Sequence, residues 1–197
     1  MQIKNKIKNI ILSIILIFIF NINLNAEEFN ITASEIIMDK NNAILTALGG
    51  VQAIDSKGRI VNADKIIYEK TKEFLSATGN VTIKSPEGNI LISEKANYDK
   101  INGIIITIGE TELKLNEGYN LKSKDIIYNL EKKILSSNKN TTLNDNSGNS
   151  VKATMFQYDI NENLFSSLGK IKVIDIKKNK YFFKEIYVDT KKKEMVG

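Results

Sequence analysis

The sequence contains no cysteine and no histidine, and it has a single proline among its 197 residues. Without cysteine the chain forms no disulfide bond and carries no lipid on a thiol, so its stability must come from burial of apolar surface. Without histidine or cysteine, and with no serine in a nucleophile-elbow sequence, nucleophilic catalysis has little to use. We therefore expect no enzymatic activity and no cofactor or metal.

A concentrated basic stripe is also missing. The formal charge is +5, but Lys4, Lys6 and Lys8 lie in an amino-terminal segment that has no acidic residue. The remaining 25 basic side chains are interspersed with 23 acidic ones, and the densest run, Lys191 to Lys193, falls in a turn position of the pattern described below. This distribution argues against a nucleic-acid partner.

The first 26 residues have the order of a secretory signal. A basic start is followed by an apolar run, Ile10 to Phe20, and then by Leu24-Asn25-Ala26, after which cleavage is expected. The apolar run is short beside the roughly twenty residues of a membrane-spanning helix, although an uncleaved anchor stays open if Ile22 and Leu24 are counted. We predict a signal peptide at 1–26 and one exported domain at 27–197.

From residue 31 onward the same kinds of residue return every thirty positions, with no insertion or deletion. One column holds Met38, Tyr68, Tyr98, Tyr128, Tyr158 and Val188. A second holds Gly49, Gly79, Gly109 and Gly169, and Lys139 interrupts it. Such a register predicts a tandem array of one supersecondary unit.

Within each unit, apolar and polar residues alternate, which predicts two strands per repeat and an all-β fold. One column of the second strand is large and apolar: Leu45, Leu75, Ile105, Leu135, Phe165 and Met195. Small residues form two neighbouring columns, 47, 77, 107, 137 and 167, and 63, 93, 123 and 153. They would leave room beside the large ones, although the same alternation also describes an ordinary packed sandwich.

The first strand of each unit changes the parity of its apolar residues near Asp64-Lys65. Side chains of a regular strand cannot change face, so we predict an extra residue there, as a bulge or corner, in every repeat.

Acidic residues begin the turns that follow the tyrosine column: Asp39, Glu69, Asp99, Asp159 and Asp189. Stacked carboxylates would suit calcium. The favoured interpretation is that these side chains bond their own backbone and start the turns.

A resemblance to a known family is carried by Ala63-Asp64-x-x-x-Tyr68 followed by Ala77-x-Gly79-Asn80-Val81. This string resembles the repeat of the OstA-like family, the periplasmic modules of the lipopolysaccharide transport (Lpt) system, and weaker copies extend it over residues 30–197. The sequence of the repeat is most similar to that of the periplasmic amino-terminal domain of the family's outer-membrane assembly member. The free-standing bridge protein is the next most similar, and the membrane-anchored member is third. Because Gly197 falls in mid-strand, we expect a longer parent chain, associated with the outer membrane if a barrel follows.

The resemblance implies a twisted, open β-jelly roll built from tandem 30-residue two-strand repeats. It also implies a non-enzymatic periplasmic carrier that binds the acyl chains of lipopolysaccharide and pairs end to end with like modules. The candidate lipid contacts are the large interior residues Leu75, Ile83, Leu91, Ile105, Leu113, Leu121, Phe156 and Phe165. The candidate partner edges are the first and last strands, represented by Phe29, Ile31, Ile186 and Val188.

Two rivals stay open. A parallel β-helix acting on polysaccharide would also accommodate thirty residues per coil, but it would need converging carboxylates. The best outward column, Asp64, Glu94, Lys124, Thr154 and Lys184, changes sign along the array. The other rival is a structural or adhesive exported repeat that binds no lipid.

Overall fold

A computed structural model describes residues 29–197 as an all-β domain, with one short 3-10 turn at Lys70–Lys72. The predicted signal peptide, 1–26, lies outside the described residues. Within 29–197, no helix has the length and apolar character needed to cross a membrane. The strands are β1 (Asn30–Thr32), β2 (Glu35–Asp39), β3 (Ile44–Ile54), β4 (Ile60–Glu69), β5 (Phe74–Lys84), β6 (Ile90–Asp99), β7 (Ile104–Lys114), β8 (Tyr119–Lys124), β9 (Ile127–Asn129), β10 (Ile134–Ser137), β11 (Thr141–Asp145), β12 (Ser150–Ala153), β13 (Phe156–Asp159), β14 (Leu164–Ile174), β15 (Lys180–Asp189) and β16 (Glu194–Val196).

Strands that follow one another in the sequence pair antiparallel through the first repeats, in the order β3-β4-β5-β6-β7. Every strand pair in the described part of the chain is antiparallel. The alternative of a parallel β-helix is therefore wrong, and the two-strand repeat is confirmed. The buried side chains of β5, Leu75, Ala77 and Val81, share one face, as the alternation predicts.

The predicted corner is present, but its extra residue lies in the other strand. Leu48 pairs with Lys65 and Val51 with Ala63, so Gly49 and Gly50 of β3 stand opposite Asp64 alone. Both glycines have positive φ, +76° and +61°, a conformation that side chains disfavour. The glycine column therefore marks the bulge. The parity change in the first strand of each unit arises because that strand pairs with the bulged one.

The corners divide the long strands into two half-sheets. Half-sheet A contains β1, β8, β11 and β12, and half-sheet B contains β2, β9, β10, β13 and β16. They are joined through β7, which pairs with β8 by residues 110–114 and with β9 by residues 104–106. They separate around Lys139, where the glycine column is interrupted, and rejoin in β14, which pairs with β12 and β13. The two half-sheets enclose the apolar interior of a β-jelly roll.

Turns stack along both open margins of the half-sheets. Rim B is formed by the turns at 40–43, 70–73, 100–103, 130–133, 160–163 and 190–193. In rim B the Lys70 N–H donates to the Ala43 carbonyl, and the Lys100 N–H donates in the same way to the Glu73 carbonyl. The series repeats every thirty residues and ends with the Thr190 N–H, which donates to the Asn163 carbonyl. Rim A is formed by the turns at 55–59, 85–89, 115–119, 145–149 and 175–179. These ladders hold successive repeats in one register.

Candidate functional site

An apolar groove lies between the half-sheets in the first three repeats. Its first section is narrow, with a cavity volume of about 20 Å³, and Phe29, Val61, Leu75, Ala96 and Tyr98 are among its lining residues. Alanines at 47, 53, 63, 77 and 96 make up most of the buried cluster beneath it. The space exists because these small residues face the large column.

The second section of the groove continues toward the middle of the array and has a cavity volume of about 40 Å³. Leu91, Leu113 and Leu135 line it, with Asn89 of rim A and Ile160 of rim B. Since both rims contribute, the groove opens between them. Only Arg59, Ile83 and Ile105 line both sections, so these three residues mark the junction.

The junction carries the single arginine of the sequence. The Nε of Arg59 donates to Asp55 Oδ2 at 2.5 Å, and its Nη2 donates to the Tyr98 hydroxyl at 3.3 Å. The guanidinium carbon also lies 5.4 Å from the centroid of the Tyr98 ring, within cation–π range. Burial lowers the pKa of Arg59, but the hydrogen bond and charge of Asp55 more than offset it, so the net shift is upward. The groove thus contains one buried, permanently charged cation.

A carboxylate, Glu87, also lies near the Arg59 guanidinium. The pKa of the Glu87 carboxyl is lowered, first by the neighbouring Ser85 hydroxyl and its own backbone N–H, and further by the charges of Lys133 and Arg59. The mouth is therefore polar and mixed in charge, while the groove beneath it is apolar.

In the last three repeats large side chains fill the interior around β13 and β14, but a cavity of about 150 Å³ lies toward the carboxy-terminal end, where Leu143, Val151, Val188 and Met195 are among its lining residues. Phe156 and Phe165 stack with ring centroids 6.0 Å apart, and both are buried. Tyr158 is buried beside them, and its hydroxyl is 3.2 Å from Thr190 Oγ1. Burial raises the pKa of Tyr158 to about 12 despite that hydrogen bond.

Both ends of the described interior expose side chains of the inner face. Met38 pairs with Leu45 but is 41% exposed, and Ile36 is 48% exposed. At the other end Met195 pairs with Val188 and is 46% exposed. In the described part of the chain, the apolar interior is open at each end.

Five of the eight candidate lipid contacts come together in the groove: Leu75, Ile83, Leu91, Ile105 and Leu113. The other three, Leu121, Phe156 and Phe165, are fully buried in the filled part of the interior and line neither section.

The small columns lie at the corner, where their hydroxyl members are hydrogen-bonded, while Ala77 of one column lines the groove. Thr111 Oγ1 donates to Thr107 Oγ1 at 2.8 Å, and Thr107 Oγ1 accepts the Ile126 N–H at 2.9 Å. Ser167 Oγ donates to the Met155 carbonyl at 2.8 Å. Small hydroxyl residues thus bond backbone groups where the ladder is interrupted.

The predicted partner edges need one correction. Ile31 lies in β1, whose one partner strand among residues 29–197 is β3, and Phe29 packs edge-to-face on Tyr68 and Tyr98. Ile186 and Val188, in contrast, are buried, and Val188 pairs with Met195. The carboxy-terminal edge is therefore β16 together with residues 180–185 of β15.

The acidic turn residues bond their own turns. Asp39 Oδ1 accepts the N–H groups of Asn41 and Asn42, and Asp189 Oδ1 accepts those of Lys191 and Lys192. The side-chain and backbone hydrogen bonds of Asn42 lower the pKa of Asp39. No group of three potential metal ligands occurs within residues 29–197.

Arg59 was not among the residues selected from the sequence. The signal that could have found it is compositional, since it is the only arginine and stands in a column of Asn89, Tyr119, Asn149 and Asn179.

No family model and no curated protein sequence matches this chain. Its structure is similar to the crystal structure of LptH from Pseudomonas aeruginosa, the LptA-homologous periplasmic component of the lipopolysaccharide transport device. The TM-score is 0.50 and the identity 12%, over 55% of this chain and 80% of that one. The TCP10 domain of Danio rerio CPAP matches at 11% identity over 80% of this chain and 99% of that one, with a TM-score of only 0.16. The LptH likeness supports the β-jelly-roll fold, and at this identity it supports the fold alone.

Proposed function

We propose that this chain is a non-enzymatic periplasmic module of an Lpt-like lipopolysaccharide transport system. It binds acyl chains in the groove of the first three repeats and pairs end to end with like modules. The observation that carries this proposal is the apolar groove, which runs from Phe29 past Ile83 to Leu135 and opens between the rims. Acyl chains would be held by removal of apolar surface from water, at about 25 cal/mol per Å².

The open ends support the second part of the proposal. The inner-face residues Ile36, Met38 and Met195 are exposed at strands that have a free side. Pairing β16 of one module with β1 and β2 of the next would cover these side chains and satisfy the edge. The apolar interior would then continue from one module to the next.

Photo-crosslinking tests the lipid part. A benzoylphenylalanine is placed at Ile83, in the groove, or at Phe165, in the filled interior, and lipopolysaccharide is added before irradiation. We expect an adduct from position 83 and little or none from position 165, where an aromatic side chain is already accommodated. Equal labelling at both positions, or none at either, would favour the rival of a structural repeat without a lipid ligand.

Association is tested with two neighbouring prolines, Ile31→Pro and Thr32→Pro. N–H groups of adjacent strand residues point to opposite sides, so one proline removes an outward donor and the other a bond to β3. We expect one variant to lose association in light scattering while keeping its melting temperature, and the other to melt earlier. Unchanged association in both would contradict pairing through β1.

A further inference from the structure

Arg59 stands where other turns of rim A carry asparagine. Asn149 donates its N–H to Asp145 Oδ1 at 2.8 Å and its Nδ2 to Asp145 Oδ2 at 2.6 Å, and Asn179 bonds Asp175 in the same way. Arg59 makes the two equivalent bonds with Asp55, from its N–H and its Nε. Asparagine is therefore sufficient for the turn, and the turn does not explain the longer, charged side chain.

The asparagine side chains of rim A also accept a hydrogen bond from the next turn of the rim, and the residue at position 59 does not need to accept one. The Oδ1 of Asn89 accepts the backbone N–H of Asn116 at 2.9 Å, and the Oδ1 of Asn149 accepts that of Ile176 at 3.0 Å. The residue equivalent to Asn116 and Ile176 is Pro86, 27 positions after Arg59, and proline has no N–H to donate. No acceptor is needed there, so the side chain at 59 is free to extend along the groove.

The guanidinium is positioned to bind a ligand. Of its five N–H donors, one bonds Asp55 and one bonds Tyr98, which leaves three without an acceptor among residues 29–197. The side chain is buried and touches both sections of the groove, where its companions at the junction, Ile83 and Ile105, are apolar. Asp55 and the Tyr98 ring hold the guanidinium in one orientation, which favours bidentate binding of a planar or tetrahedral anion.

We propose that Arg59 binds the anionic head group, carboxylate or phosphate, of a ligand whose acyl chain lies in the groove. This inference rests on the proposed function, because it assumes that an acyl chain occupies the groove, and it adds a specificity for charged over neutral heads. Asp55 acts as a positioning residue that fixes the guanidinium, and the free N–H donors face the ligand.

The test is equilibrium binding of three probes with the same sixteen-carbon chain: a fatty acid, an alkyl phosphate and a neutral alcohol. Each is used below its micelle concentration with the full chain. We expect the unmodified protein to bind at least one charged probe about tenfold more tightly than the alcohol, and the preferred probe identifies the head group. In Arg59→Asn, which keeps the turn bonds, the ratio of charged-probe affinity to alcohol affinity should fall to about one. Arg59→Lys should retain part of the preference.

A double variant controls for net charge. Arg59→Asn with Asn179→Arg restores the total charge but places the arginine in a turn 120 residues away, and it should behave like Arg59→Asn. If Arg59→Asn or the double variant keeps the full preference for a charged head, the inference is overturned, while the binding of alcohol still supports the groove. If no probe binds to any variant, the groove proposal fails and the inference fails with it.

Discussion

The first three repeats and the last three share the column of large apolar residues but differ in what faces it. In one column Ala96 of the third repeat becomes Phe156 of the fifth, and in another Ala53 becomes Leu143. The early repeats keep a narrow apolar groove, whereas Phe156, Tyr158 and Phe165 fill the interior of the fifth repeat, with a further cavity beyond them toward the carboxy-terminal end. The same backbone thus lines a groove or encloses a packed core, depending on a few side chains.

Truncating one side chain in each half should give the largest difference in the free energy of unfolding. Phe156→Ala removes a fully buried ring and should lower the free energy of unfolding by about 3–5 kcal/mol. Ile83→Ala truncates a side chain that borders the groove and is only partly buried, so we expect a loss of about 1 kcal/mol. Urea unfolding of both variants measures the difference. Equal losses would mean that the early repeats are packed as tightly as the late ones.

Alkaline pH should weaken the filled half through Tyr158. Its pKa is raised from 10.0 to about 12, so between these values the unfolded chain has released a proton that the folded chain keeps. The contribution of Tyr158 to the free energy of unfolding is therefore fully present below pH 10 and is lost as the pH rises through about 12, by up to about 3 kcal/mol. Urea unfolding at pH 9 and pH 11.5 should show a smaller loss in Tyr158→Phe than in the unmodified protein. Identical losses would contradict burial of this hydroxyl.

Filling the groove should remove most of its capacity to bind an acyl chain. Ala96→Phe places in the third repeat the residue that the fifth repeat carries at the same position, and it should lower affinity for an acyl probe about tenfold or more. The melting temperature should also fall, because the ring is larger than the cavity beside the buried Ala96 and crowds its neighbours. Ile106→Phe, on the exposed outer face of β7, serves as the matched control and should leave affinity unchanged.

Much of the fold could be predicted because the repeat is strict. The thirty-residue period, the alternation and the glycine column together require antiparallel strand pairs with a corner in each. Parity alone places the extra residue in the first strand, and this prediction is wrong, because parity does not show which of two paired strands is bulged. The strand register and the positive φ of Gly49 and Gly50 show that the bulge lies in the second strand.

The groove was less predictable, because its volume depends on which columns meet across the half-sheets. Leu75 and Phe165 occupy equivalent positions, yet one lines empty space and the other is packed against Phe156. The alternation of large and small residues describes both environments. Arg59 could not be selected from the sequence, because a single charged residue in a turn is usually exposed to solvent and the sequence does not reveal that this one is buried.

The bonds that stack the turns all reach back 27 residues, from Lys70 to Ala43 at one end and from Thr190 to Asn163 at the other. Through these bonds each turn is tied to the turn of the preceding unit, in a manner that repeats with the sequence itself. An intact unit of thirty residues could therefore be duplicated or removed without altering how its neighbours connect. The length of the sheet could therefore increase or decrease during evolution in steps of one thirty-residue unit.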